Sequence, residues 1–192
     1  MKKHIIRLLT FTLLAATSFS CKKDYDGLGP LEDSIADIPV TVANQEFFEL
    51  VPIVTTSVAA GGNFNITFRI PQDKGRIKEI TRVATGTSGL TNLQGTVLSQ
   101  LYNYNTTSQT VTPIVGSNSN EITFSSNLSV YNTYRTRVTA AVAGPAGAVA
   151  MTTGTPPVPD QRNPTQLRFF FLLTLEDGKE VIPTEVRVRV LP

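Results

Sequence analysis

Tryptophan is absent from this chain, and histidine and cysteine occur once each, as His4 and Cys21. A lone cysteine closes no internal disulfide, so the fold must stand on burial alone. Ser-His-Asp and Cys-His nucleophile systems need an imidazole base near neutral pH, and zinc sites are built mainly from His and Cys. With His4 confined to the first apolar segment, neither chemistry has its parts beyond that segment. No Gly-rich phosphate loop follows a strand and opens a helix. Long apolar runs are missing too: Leu8–Phe19 is about 12 residues, against the ~20 that a spanning helix needs. Charge of one sign is not in excess, with 17 basic and 15 acidic residues.

What is present begins at the N-terminus. Lys2, Lys3 and Arg7 lead the apolar run, and Ser20-Cys21 closes it before Lys22-Lys23-Asp24. A charged start, a short apolar stretch and a small residue at its end make a cleaved export signal over residues 1–20. The segment resembles the signal peptide of Bacteroidota-type lipoproteins, which is cut before a cysteine whose thiol is then acylated. Ser18, Phe19 and Ser20 stand where the lipobox lies, and Ser20 fits it best. The resemblance implies that Cys21 is lipidated, that the lipid bilayer is a partner, and that the protein sits at the outer membrane. The cluster Lys22–Asp26 is similar to the export tag of surface-displayed lipoproteins, which implies an outward orientation; a periplasmic orientation is the alternative. Asp33-Ser34-Ile35 matches the O-glycosylation pattern of the same group and marks Ser34. Loss of Lys2, Lys3 and Arg7 turns the formal charge of +2 into −1, which leaves no electrostatic footprint for nucleic acid. Asp24-x-Asp26-Gly27 lacks the further oxygen ligands and closing Glu of a calcium loop, so no metal or other cofactor is expected.

Residues 21–44 read as a tether, with Gly27, Gly29, Pro30, Pro39 and no sustained periodicity. Gln45–Pro192 is the right size for one domain. Its strongest pattern is Asn63–Ile70, where Phe64, Ile66, Phe68 and Ile70 alternate with polar residues. That period of two predicts a strand with one face in the core. Further strands are expected over Glu46–Val54, where Pro52 points to an edge, and over Arg76–Thr85, Gln109–Val115 and Glu121–Ser125. Tyr134–Val142 also alternates. Leu128-x5-Tyr134-x-x-Arg137-Val138-Thr139-Ala140 resembles the tyrosine-bearing sixth strand of fibronectin type III modules, whose tyrosine ties back to the sandwich corner.

At the tail, Leu167–Glu176 and Lys179–Val190 flank Asp177-Gly178, a strong hairpin signal. A two-residue turn would set Glu176 against Lys179, Leu173 against Ile182 and Phe169 against Val186. Arg168 would then lie opposite Arg187, an unfavourable pairing unless Pro183 shifts the register, Glu185 or Glu79 lies near, or the stripe binds an anion. Phe170 and Leu172 face away from Phe169 and Phe171, so this strand is either covered on both sides or offers an apolar patch.

The expected fold is all-β: a single immunoglobulin-like β-sandwich of roughly 7–9 antiparallel strands. Two long loops, 85–120 and 144–165, account for its extra length. Leu93, Val97, Leu98 and Leu101 within the first suggest a short helix. Tyr102, Tyr104 and Tyr131 are the candidate ligand-binding aromatics; covering the core is their other reading. Three functions follow: a non-catalytic envelope module binding another envelope protein, an accessory lipoprotein binding an extracellular glycan through those tyrosines, and a carboxylate-based hydrolase. The missing imidazole puts the first two ahead of the enzyme.

Overall fold

The computed structural model of the protein describes residues 38–142 and 157–192. Cys21, Ser34, the signal segment and most of the 144–165 loop lie outside the described residues. The strands in chain order are β1 (Thr41–Val42), β2 (Phe47–Phe48), β3 (Pro52–Ser57), β4 (Asn63–Arg69), β5 (Ile77–Thr85) and β6 (Tyr104–Asn105). They continue with β7 (Thr110–Val111), β8 (Ile114–Ser119), β9 (Glu121–Asn127), β10 (Gln166–Leu175), β11 (Glu180–Val181) and β12 (Val186–Leu191). Among the described residues two α-helices interrupt them, α1 (Gly89–Gln94) and α2 (Leu128–Val142).

The architecture is an all-β sandwich. One main sheet has the order β1-β4-β9; the other runs β2-β3-β12-β10-β5-β8 with β11 paired to β10, and β6 and β7 form a separate two-stranded ribbon. Alternation along β4 turns Phe64, Ile66 and Phe68 inward, where they meet the inner face of β10. Phe64 lies 5.5 Å from Phe169 and Phe68 lies 4.7 Å from Phe171, centroid to centroid. Tilted and edge-on rings of this kind add to what their burial contributes. The domain begins earlier than Gln45: Ile38 and Val42 are buried in this core, and β1 pairs with the end of β4.

Twelve strands exceed the seven to nine expected, mainly because proline and turns divide the longer apolar stretches. Glu46–Val54 splits into β2 and β3, and Gln109–Val115 breaks at Pro113 into β7 and β8. The pairing is not wholly antiparallel either, since β12 and β3 run parallel.

Tyr134–Val142 is a correction: it belongs to helix α2, not to a strand. Leu128, Tyr131, Tyr134 and Val138 are buried, and their spacing of three and four places them on one helical face. The alternation also visible there shares Tyr134 and Val138 with that face, so period two alone did not separate the two conformations. Asn127 starts the helix by accepting the Ser129 amide at 2.7 Å on its side-chain oxygen, which satisfies one otherwise unpaired donor. The fibronectin-like strand match at Tyr134 falls with it.

The tail hairpin forms with a three-residue loop. The Leu175 amide donates to the Lys179 carbonyl at 2.9 Å, and Gly178 takes a positive φ of 85°, the left-handed position such loops require. Leu173 therefore pairs with Val181 rather than Ile182. One additional residue in the returning strand around Pro183 restores the expected Phe169–Val186 and Arg168–Arg187 pairs.

The outer face of β10 is covered. Phe170 and Leu172 are buried with Ala84, Leu93 and Leu101 beneath the insertion that follows β5. Two arginines hold this insertion down. Arg82 donates to the Leu93 and Gly95 carbonyls, both at 3.0 Å, and Arg137 donates to those of Ser99 and Leu101.

Candidate functional site: a polar crevice at one end of the sandwich

Three connections meet at the end of the sandwich where β5 begins. β4 stops at Pro71, a 3-10 turn spans Gln72–Lys74, and Gly75 reverses the chain at φ 109°. Between β8 and β9 the chain passes from one sheet to the other at Asn120, with Asn118 at φ 58°. Asparagine tolerates this left-handed position better than most residues. The third connection is the hairpin loop at Glu176–Gly178.

Arg76 ties the three together. Its guanidinium donates to the Asn118 carbonyl at 2.7 Å, and its own carbonyl accepts the Glu176 amide at 3.1 Å. Asn120 fixes the remaining side by donating from Nδ2 to the Ile70 carbonyl at 2.9 Å. Around Arg76 lies a recess of about 650 Å³, lined by Lys74, Gly75, Arg76, Asn118, Leu175, Glu176 and Asp177. A second recess of about 330 Å³ adjoins it at Gln72, Gly75, Arg76 and Asn120. Sites for small molecules usually fall in this size range.

The lining offers two cations, two carboxylates and three amides on an apolar floor of Leu175. Such a set suits hydrogen bonding to a polar or zwitterionic group. It suits general acid catalysis poorly, because Glu176 and Asp177 are both exposed, whereas a carboxyl kept protonated near neutral pH needs an apolar pocket. Asp177 is further engaged by the Lys179 amide at 3.0 Å. Among the described residues no group of three or more His, Cys, Asp or Glu side chains is placed to hold a metal ion.

The three candidate tyrosines are elsewhere. Tyr131 is fully buried and Tyr102 nearly so, and Tyr102 packs against Phe124, Tyr134 and Phe169 at 5.9, 5.1 and 5.5 Å. Their phenols serve the core, as the Tyr102 hydroxyl shows by hydrogen bonding to Ser126 at 2.6 Å. Burial pushes the Tyr102 phenol up to about 12 and raises that of Tyr131 as well. Neither ring offers a face to a ligand. Tyr104 alone is half-exposed, with the Arg137 guanidinium 5.4 Å from its centroid.

The arginine stripe is compensated from within. Glu185 bridges Arg168 and Arg187, accepting from Arg187 Nε at 2.9 Å. Partial burial works to raise this carboxyl, but hydrogen bonds from both guanidiniums and their charges together hold it below the usual carboxylate range. Arg189 pairs with Glu49 at 2.6 Å. The face is a set of ion pairs rather than an open anion site.

Sequence reasoning did not find the crevice, because its lining comes from three separate loops. The Asp177-Gly178 turn was visible, but nothing in the local pattern brings Arg76 and Asn118 beside it. Compared with protein-family models, curated proteins and solved structures, the chain matches none.

Proposed function

We propose that this chain is a lipid-anchored, non-catalytic module of the outer membrane, displayed on the cell surface, that acts by binding another component of the envelope. The anchoring half of this reading rests on Lys2 to Cys21 and its resemblance to lipoprotein signals. The binding half rests on the crevice around Arg76, where side chains of both charges line an open recess at a loop end of a covered sandwich. Loops held by a rigid scaffold are the usual place for recognition.

An extracellular glycan is the second reading of the same site. Sugar hydroxyls suit the amides and charges of the crevice, but the aromatic platform expected at Tyr102 and Tyr131 lies in the core. Glycan arrays probed with the wild type and with Arg76→Ala separate the two readings. A signal lost in the variant favours the glycan.

Anchoring is tested by growing cells with an alkyne-bearing fatty acid. Label is expected in the wild type and absent from Cys21→Ser. A wild type that stays unlabelled and leaves the membrane fraction would overturn it.

A further inference from the structure

The hairpin joining β2 to β3 has an unusual disposition of polar and apolar groups. Phe47, Phe48 and Leu50 are 47%, 66% and 84% exposed, three large apolar side chains in four positions. The two acids beside them fold back onto the sheet. Glu46 accepts from the Thr55 amide at 3.0 Å and from its hydroxyl at 2.6 Å, and Glu49 pairs with Arg189. Arg189 in turn stands 4.9 Å from the Phe47 ring centroid. The hairpin therefore satisfies its charges inward and leaves Phe48 and Leu50 outermost. It also forms the rim of the larger sheet, where β2 is the edge strand.

We infer that this hairpin seats Phe48 and Leu50 in the lipid interface beside the acyl anchor. An outward-pointing tip of Phe48 and Leu50, with both neighbouring acids hydrogen-bonded to the sheet, fits the headgroup–acyl boundary, where Phe and Leu side chains bury. The chain supports this occupant. Residues 38–41 enter β1 only a few positions before the hairpin, and the segment from Cys21 to Ile38 reaches at most roughly 60 Å when fully extended. An anchored Cys21 thus holds the tip within reach of the bilayer.

The inference rests on the anchoring proposed above, yet its test does not depend on processing in the cell. Cys21 is the only cysteine, so the purified chain from Cys21 onward can be coupled through it to a maleimide lipid. The vesicles are phosphatidylethanolamine and phosphatidylglycerol, with or without brominated acyl chains. The chain has no tryptophan, so Phe48→Trp adds the sole indole, and Val115→Trp, 75% exposed at the opposite edge of the sheet, is the control. For Phe48→Trp, emission is expected to move to shorter wavelength on coupling and to be quenched by the brominated lipid; Val115→Trp is expected to do neither. Emission from Phe48→Trp that stays at its solution wavelength without quenching overturns the inference. So does equal quenching of both variants. A Phe48→Trp emission already shifted in solution, with the mass of a dimer, assigns the tip to a second copy and overturns it too. Fatty-acid labelling of Cys21 tests the anchor separately.

Discussion

Arg168 and Arg187 face each other directly across β10 and β12, a pairing of like charges that a sheet tolerates only when a counter-charge intervenes. Glu185 supplies it, with its side chain only 11% exposed between them. Glu185→Gln removes the charge and keeps the shape. It is expected to lower unfolding free energy by about 1.5–3 kcal/mol, the range for hydrogen bonds to charged groups. The lower half of that range applies, because both guanidiniums retain solvent access. The folded carboxyl lies below its ordinary value of 4.5, so its contribution is complete above that pH and is lost as pH falls through the folded value. Denaturation curves at several pH values should show the gap between wild type and variant closing below about pH 4.5; a constant gap would contradict this role. At this scale the sequence was partly legible. The Arg168–Arg187 conflict follows from counting along the hairpin, which left Glu185 as one remedy beside Glu79, a register shift at Pro183 and a bound anion. The depth at which Glu185 is held does not.

Among the elements, strict alternation was the dependable signal for β4. β5 and β9, expected without it, also fall within a residue or two of their bounds. α2 shows where that signal fails: Tyr134 and Val138 serve periods of two and four alike, and only the earlier Leu128 and Tyr131 reveal the helical face. The hairpin loop was read one residue short because a left-handed glycine serves loops of two or three residues equally well. Neither register error moved Phe169 from Val186, since the additional residue near Pro183 cancelled the other. α1 seats on the sheet through Gly89, where an added Cβ would stand 2.2 Å from Phe170 Cδ2. Gly89→Ala should therefore destabilise the domain by about 1–3 kcal/mol, the usual range for overpacking. Adding Phe170→Leu should relieve part of that loss. Additive effects in a double-mutant cycle of thermal denaturation would show that the two residues do not meet as described.

At the scale of the whole molecule, one aromatic core joins both sheets and α2. Phe64, Phe124, Phe169 and Phe171 meet Tyr102, Tyr131 and Tyr134 there. Its composition was legible, but the place of Tyr102 and Tyr131 was not, because a tyrosine in a loop-rich segment can serve as platform or as core. Burial raises all three phenols above the ordinary 10.0, Tyr102 to about 12. Raised folded values mean that the unfolded chain releases these protons first. Stability should therefore be full below pH 10 and fall between pH 10 and about pH 12, by about 1.4 kcal/mol per pH unit for each of Tyr102 and Tyr131, with Tyr134 acting in the same direction. Urea midpoints that do not change across this window would show that the phenols are accessible in the folded state. The proposed display of this domain at the cell surface through Cys21 is tested by protease treatment of cells carrying a tagged chain. The tag should be lost on intact cells for the wild type, while Cys21→Ser should no longer fractionate with the membrane. A wild-type tag protected until the outer membrane is permeabilised would place the domain inside the envelope and contradict surface display.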